Sequence, residues 1–210
     1  MINAMFNAFD AMGSEWVMGV LMVLSILSLA VILERYRNLR SQEKVGALLW
    51  KEQVESWMKS GTLPEIQAKN LSQKYPCLES ALLEVLCAAK SAPSGTHDLS
   101  LLMASFLGRK KVDLDKNMSF LGTLGSNAPF IGLFGTVLGI IKAFHDIGSA
   151  SSGAGGASSV SSSLSEALVA TAVGLLVAIP AIIAFNFFQR KIKVIMSRAE
   201  SLGNFIISNI

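Results

Sequence analysis

The sequence predicts an all-α integral membrane protein with three transmembrane helices and long helices extending into the cytoplasm. Three observations carry that expectation. The 210-residue chain is 51% hydrophobic and 16% charged, with a mean hydropathy of +0.50, whereas soluble domains carry about 25% charged residues. Three apolar runs are long enough to span a bilayer. The Lys and Arg residues collect in only two of the regions outside those runs. No alternating strand pattern of any length is present.

Residues 1–15 form a short outside N-terminus, helical or interfacial through Met5, Phe6, Phe9 and Met12. They lack a positive n-region, and no small-residue cleavage site follows the next run, which is therefore read as a retained helix and not a signal peptide. Transmembrane helix 1 covers 16–33, 18 residues without a charge, with Trp16 as an interfacial anchor. The cytoplasmic helical region covers 34–118. Its first helix runs on from the membrane through Arg40. Gly61-Thr-Leu-Pro64 ends one helical stretch, Tyr75-Pro76 opens another, and Ala92-Pro-Ser-Gly95 closes that one. Between breakers, Leu78, Leu82, Val85, Leu86 and Ala89 recur at helical spacing and make one face. The last cytoplasmic helix, from about Asp98 to Met118, has no breaker and is expected to be continuous with the next span.

Transmembrane helix 2 covers 119–146, and His145 and Asp146 read as its solvated outer end. Residues 147–163 form a Gly, Ala and Ser loop on the outside, which is flexible-linker chemistry and provides no folded outer domain. Transmembrane helix 3 covers 164–188. Residues 189–210 form a cytoplasmic C-terminal helix with Ile192, Ile195, Met196 and Ala199 on one side. Pro129 and Pro180 fall inside spans, where they free carbonyls and permit kinks.

Orientation follows from positive charge. Thirteen Lys and Arg lie in 34–118, four follow Phe188, and the remaining one is Lys142. Neither the stretch before Trp16 nor the loop 147–163 has any. The positive-inside rule places the N-terminus outside and the C-terminus in the cytoplasm. Cys77 and Cys87, both on the cytoplasmic side, are expected to be reduced packing residues. With no His between them they are not a zinc site. No metal or cofactor is expected, and no clustered nucleophile and base near the membrane suggests an enzyme. The lipid bilayer is an expected partner and nucleic acid is not.

Small residues form a stripe on each of the last two spans. Ala128, Gly132, Gly135, Thr136, Gly139 and Ala143 lie on helix 2; Ala167, Ala170, Thr171, Gly174, Ala178 and Ala181 lie on helix 3. Such faces let membrane helices approach closely. Two readings stand: packing within one subunit, or lining a shared surface in an oligomer. Thr136 and Thr171 either bond back to their own helices or border a proton path. Glu166 is the only acidic residue in any apolar run. It either completes a capping box with Ser163 at the N-cap or stands at the outer mouth of an ion path. An ionisable group in a span is a functional hypothesis by default.

Residues 125–188 resemble the TolQ/ExbB/MotA family of proton-channel motor subunits. The resemblance is carried by Ala128-Pro-Phe-Ile-Gly-Leu-Phe-Gly-Thr-Val137, by Glu166-Ala-Leu168, by Thr171-Ala-Val-Gly-Leu175, and by Ala178-Ile-Pro-Ala181 with Asn186. Phe185 stands where a Tyr often precedes that Asn. The three-span layout resembles the ExbB and TolQ branch. The resemblance implies a homo-oligomer, a pentamer, around a single-span ExbD/TolR-like protein in the central pore, whose membrane Asp takes and releases protons. It also implies a TonB/TolA-like force transmitter and a place in the bacterial inner membrane. Thr136, Thr171 and Glu166 take the positions of the family's proton-pathway residues. Proton motive force would then drive periplasmic or outer-membrane work such as uptake, envelope maintenance, export or motility. The residues read alone agree in one respect: the chain has no mid-membrane carboxylate, so a proton relay needs one from a partner. The alternative is a non-conducting membrane scaffold for an envelope complex, in which Glu166 and the stripes serve only capping and packing.

Overall fold

The structure, a computed structural model, describes residues 15–60, 68–90, 98–149 and 155–209. These form α1 (Glu15–Leu49), a π-helical segment (Trp50–Val54), α2 (Glu55–Ser60), α3 (Ala68–Lys74), α4 (Leu78–Lys90), α5 (Leu99–Asp115), α6 (Met118–Ser149) and α7 (Gly155–Ser208). No strand occurs among the described residues. Three helices are long and apolar enough to cross a membrane, and the protein is an all-α membrane protein.

The chain divides into two compact units. The first comprises Met1–Ile32 and Ser119–Phe185. Its core is Val17, Leu21, Leu124, Ala128, Leu138, Val177, Ala178 and Ala181. Its outward surface is apolar: Ile26, Phe130, Leu176 and Ile183 are all more than half exposed, as a lipid-covered surface requires. Trp16 meets Phe134 edge-on at 6.2 Å between ring centroids.

The second unit comprises Leu33–Met118 and Asn186–Ile210. Leu78, Leu82 and Leu86 are buried as the α4 periodicity expects, and Ile192, Ile195, Met196 and Ala199 make the buried side of the C-terminal helix. Lys191 on α7 donates to Glu43 on α1 at 2.6 and 2.7 Å. Among the described residues, Cys77 and Cys87 are not joined in a disulfide.

The helix limits depart from expectation in three places. The expected continuity of 98–118 with the next helix fails at Lys116 and Asn117. Lys116 is extended at φ −52°, ψ 136°, and Asn117 has φ 60°, the left-handed conformation Asn tolerates better than other non-glycine residues. Second, α7 begins at Gly155, so residues 155–163 of the expected loop are helical. Ser163 is buried inside that helix, where its Oγ donates to Asp146 Oδ2 at 3.4 Å. Ser163 is therefore no N-cap, and the capping-box reading of Glu166 is corrected. Third, α3 and the π segment carry no strong sequence signal. Tyr75, at the α3–α4 bend, bonds Glu52 in the π segment. The expected breakers at 61–64 and 92–95, and the N-terminal residues 1–14, lie outside the described residues.

Candidate functional site

The two small-residue stripes meet each other inside one chain. A Cβ on Gly132 would lie 2.9 Å from the Ala170 carbonyl oxygen and 3.2 Å from Gly174 Cα. A Cβ on Gly174 would lie 2.7 Å from the Ala128 carbonyl oxygen. The two backbones are therefore in contact, and only glycine fits at either position. Further along, a Cβ on Gly135 would lie 2.9 Å from Ala170 Cβ and 3.2 Å from Val17 Cγ1 of α1, and one on Gly139 would collide with Ala167. Ala128, Ala167, Ala170 and Ala178 are buried. These eight stripe residues, four glycines and four alanines, are packed within one chain.

The threonines differ. Thr136 Oγ1 donates to the Leu133 carbonyl at 2.6 Å, within its own helix. Thr171 Oγ1 donates across the helix pair to the Gly132 carbonyl at 3.0 Å. In regular helix geometry that same carbonyl accepts from the Thr136 amide. Thr171 thus takes the second lone pair of a carbonyl at the tightest point of the contact. Both threonine side chains are half-buried. Glu166 is exposed on α7, between Leu164 at 42% and Leu168 at 65% exposure. The structure brings Thr171 to the stripes and leaves Glu166 on an outer face.

One polar feature was not singled out from the sequence. Thr123, Ser126 and Asn127 are exposed together on α6. Ser126 Oγ donates to the Gly122 carbonyl at 3.0 Å, and Asn127 Nδ2 donates to the Thr123 carbonyl at 2.9 Å. The available signal was three hydrogen-bonding residues within five positions of an otherwise apolar run. Among the described residues, no group of three or more His, Cys, Asp or Glu is placed to hold a metal ion.

Residues 73–201 match the family described as the MotA/TolQ/ExbB proton channel family. The chain is 42% identical over 101 residues to a Helicobacter pylori protein described as biopolymer transport ExbB-like 2, covering 47% of this chain and 66% of that protein. It is 46% identical over 138 residues to the biopolymer transport protein ExbB of Neisseria gonorrhoeae, covering 66% of this chain and 54% of that protein. It is 38% identical over 92 residues to the Tol-Pal system protein TolQ of Pseudomonas aeruginosa, covering 44% of this chain and 39% of that protein. The matches thus span less than two thirds of each relative's length.

Proposed function

The chain belongs to the MotA/TolQ/ExbB proton channel family, and from that membership we propose that it is the multi-span subunit of a proton-driven motor in a bacterial inner membrane. In this reading several copies, five by the resemblance, enclose a single-span ExbD/TolR-like partner. The partner supplies the mid-membrane carboxylate that this sequence lacks. Proton flow past Thr136, Thr171 and Glu166 is converted to mechanical work, passed on through a TonB/TolA-like protein to periplasmic or outer-membrane systems.

The observation that carries the reading is Glu166. It is an ionisable side chain exposed on a spanning helix among exposed Leu164, Leu168 and Val169. A carboxylate on a lipid-facing surface is costly, so such groups face protein or a water-filled cavity. An assembly that covers this face supplies both. Thr171 adds a hydroxyl whose proton is committed to Gly132 but whose oxygen can still accept.

The scaffold reading has its own support, because all eight small residues are occupied in packing within one chain. One experiment separates the two. The protein is co-reconstituted with its single-span partner in liposomes, and proton uptake is followed with a pH-sensitive dye. Glu166→Gln and Thr171→Val are expected to abolish the flux while native mass spectrometry still finds the assembled complex. Undiminished flux in both variants would overturn the motor assignment of these residues. An assembled wild-type complex with no flux at all would leave the scaffold.

A further inference from the structure

We propose that the second unit contains a phosphate-binding cavity built around Arg35. A cavity of about 530 Å³ is lined from α1, α3, α4 and α5. Arg35 lines it with a side chain only 5% exposed. Its guanidinium is poorly satisfied. One amino group reaches the Leu114 carbonyl at 3.5 Å, the other lies 3.9 Å from Glu34 Oε1, and Nε has no partner among the described residues. A guanidinium has five donors and cannot shed its charge, and a buried charge without acceptors is costly. An acceptor in the adjoining cavity resolves that cost.

The surrounding chemistry selects the acceptor. Asn38 and Gln42 follow Arg35 on α1 at helical spacing, and Lys110 enters from α5. Asp113 also lines the cavity and lies 4.0 Å from Lys110 Nζ, so the charged lining side chains sum to one net positive charge. The buried Leu39 and Leu78 form apolar wall, which strengthens charge-assisted hydrogen bonds inside. Donors arriving from separate helices suit a tetrahedral oxyanion better than a planar carboxylate. The volume exceeds one phosphate and leaves room for a substituent. Arg35 comes two residues after the apolar run ending at Leu33, and Leu114 four before Met118. A phosphodiester of a lipid headgroup and a soluble phosphate are therefore the two sources of the same chemistry.

The test uses the full chain, purified in maltoside detergent, with isothermal titration calorimetry. The probes are inorganic phosphate, acetate, and dihexanoyl-phosphatidylglycerol against dihexanoyl-phosphatidylcholine. Saturable binding of phosphate or of the anionic lipid, and not of acetate, is expected. Arg35→Gln should abolish it, and Lys110→Gln should weaken it roughly tenfold, the worth of one charge-assisted hydrogen bond. Lys110 has a 43% exposed side chain, so that variant carries the test if Arg35→Gln fails to fold. Phosphatidylglycerol binding far tighter than phosphate identifies a headgroup site; equal affinities identify a soluble phosphate. No saturable binding, equal binding of acetate, or binding unchanged by Lys110→Gln overturns the proposal.

Discussion

Glu79 is a buried carboxyl of the second unit. It is 1% exposed, and its Oε2 has no partner among the described residues. Burial pushes its carboxyl above the ordinary carboxylate range, against the opposing pull of hydrogen bonds from its own backbone amide and from Cys77 and of the Arg198 charge. The folded pKa therefore exceeds the unfolded one. Below the unfolded value both states are protonated and nothing is lost; as pH rises through the carboxylate range, the unfolded state releases its proton first and stability falls. Glu79→Gln is expected to leave thermal unfolding unchanged near pH 4 and to raise the midpoint once the pH exceeds the ordinary carboxylate range. A midpoint difference that is flat with pH would refute this. Thr171 is the corresponding residue in the first unit. Thr171→Val removes one interhelical hydrogen bond, worth about 0.6 kcal/mol, whereas Thr171→Ser keeps it. A loss of function in Thr171→Val far beyond that small stability change would mark the hydroxyl as functional, and function retained with the same stability loss would mark it as packing.

At the scale of the helix, the α6–α7 contact is set by backbone approach and not by side-chain volume. Gly174→Ala would drive a methyl to 2.7 Å from the Ala128 carbonyl oxygen, which cannot yield as a flexible side chain can. Its expected cost is about 1–3 kcal/mol, read by thermal unfolding in detergent. Gly108 on α5 is the control: nothing lies within 4 Å of its Cβ position, so Gly108→Ala should stabilise by about 0.5–1 kcal/mol. The break between α5 and α6 is tested in the same way. Asn117→Gly is expected to be neutral at φ 60°, and Asn117→Val to cost about 1–2 kcal/mol. Equal melting of the two variants would show that the chain re-routes there.

For the molecule as a whole, charge placement predicts an orientation. Seventeen of the 18 Lys and Arg fall in 34–118 or after Phe188, the count being 13 and 4. A C-terminal fluorescent-protein fusion at Ile210 is expected to fluoresce, and an alkaline phosphatase fusion at the same place to be inactive, as the positive-inside rule predicts for a cytoplasmic C-terminus. Active phosphatase there would reverse the topology. The exposed apolar surface of the first unit, with Glu166 set into it, is the surface that the proposed assembly would divide between lipid and protein.

The helical class, the three spans and the small-residue stripes were legible in the sequence, because hydropathy and residue size act within a single helix and need no knowledge of its neighbours. The buried faces of α4 and of the C-terminal part of α7 were legible for the same reason: helical period alone sorts core from surface. The break at Asn117 was not, because its sequence permits a helix and only the local backbone chose the left-handed turn. Nor was the start of α7, because a Gly, Ala and Ser stretch reads as linker by composition yet is helical from Gly155. The stripes announced close packing, but their partner was decided by tertiary structure, which set Gly132 against Gly174 within one chain. The sequence by itself determined that this protein lives in a membrane and which residues are small, polar or charged there. Only the tertiary structure decided which of them meet, leaving Thr171 bonded across the helix pair, Glu166 outward, and Arg35 buried beside a cavity, because contacts between distant segments depend on where helices end and turn.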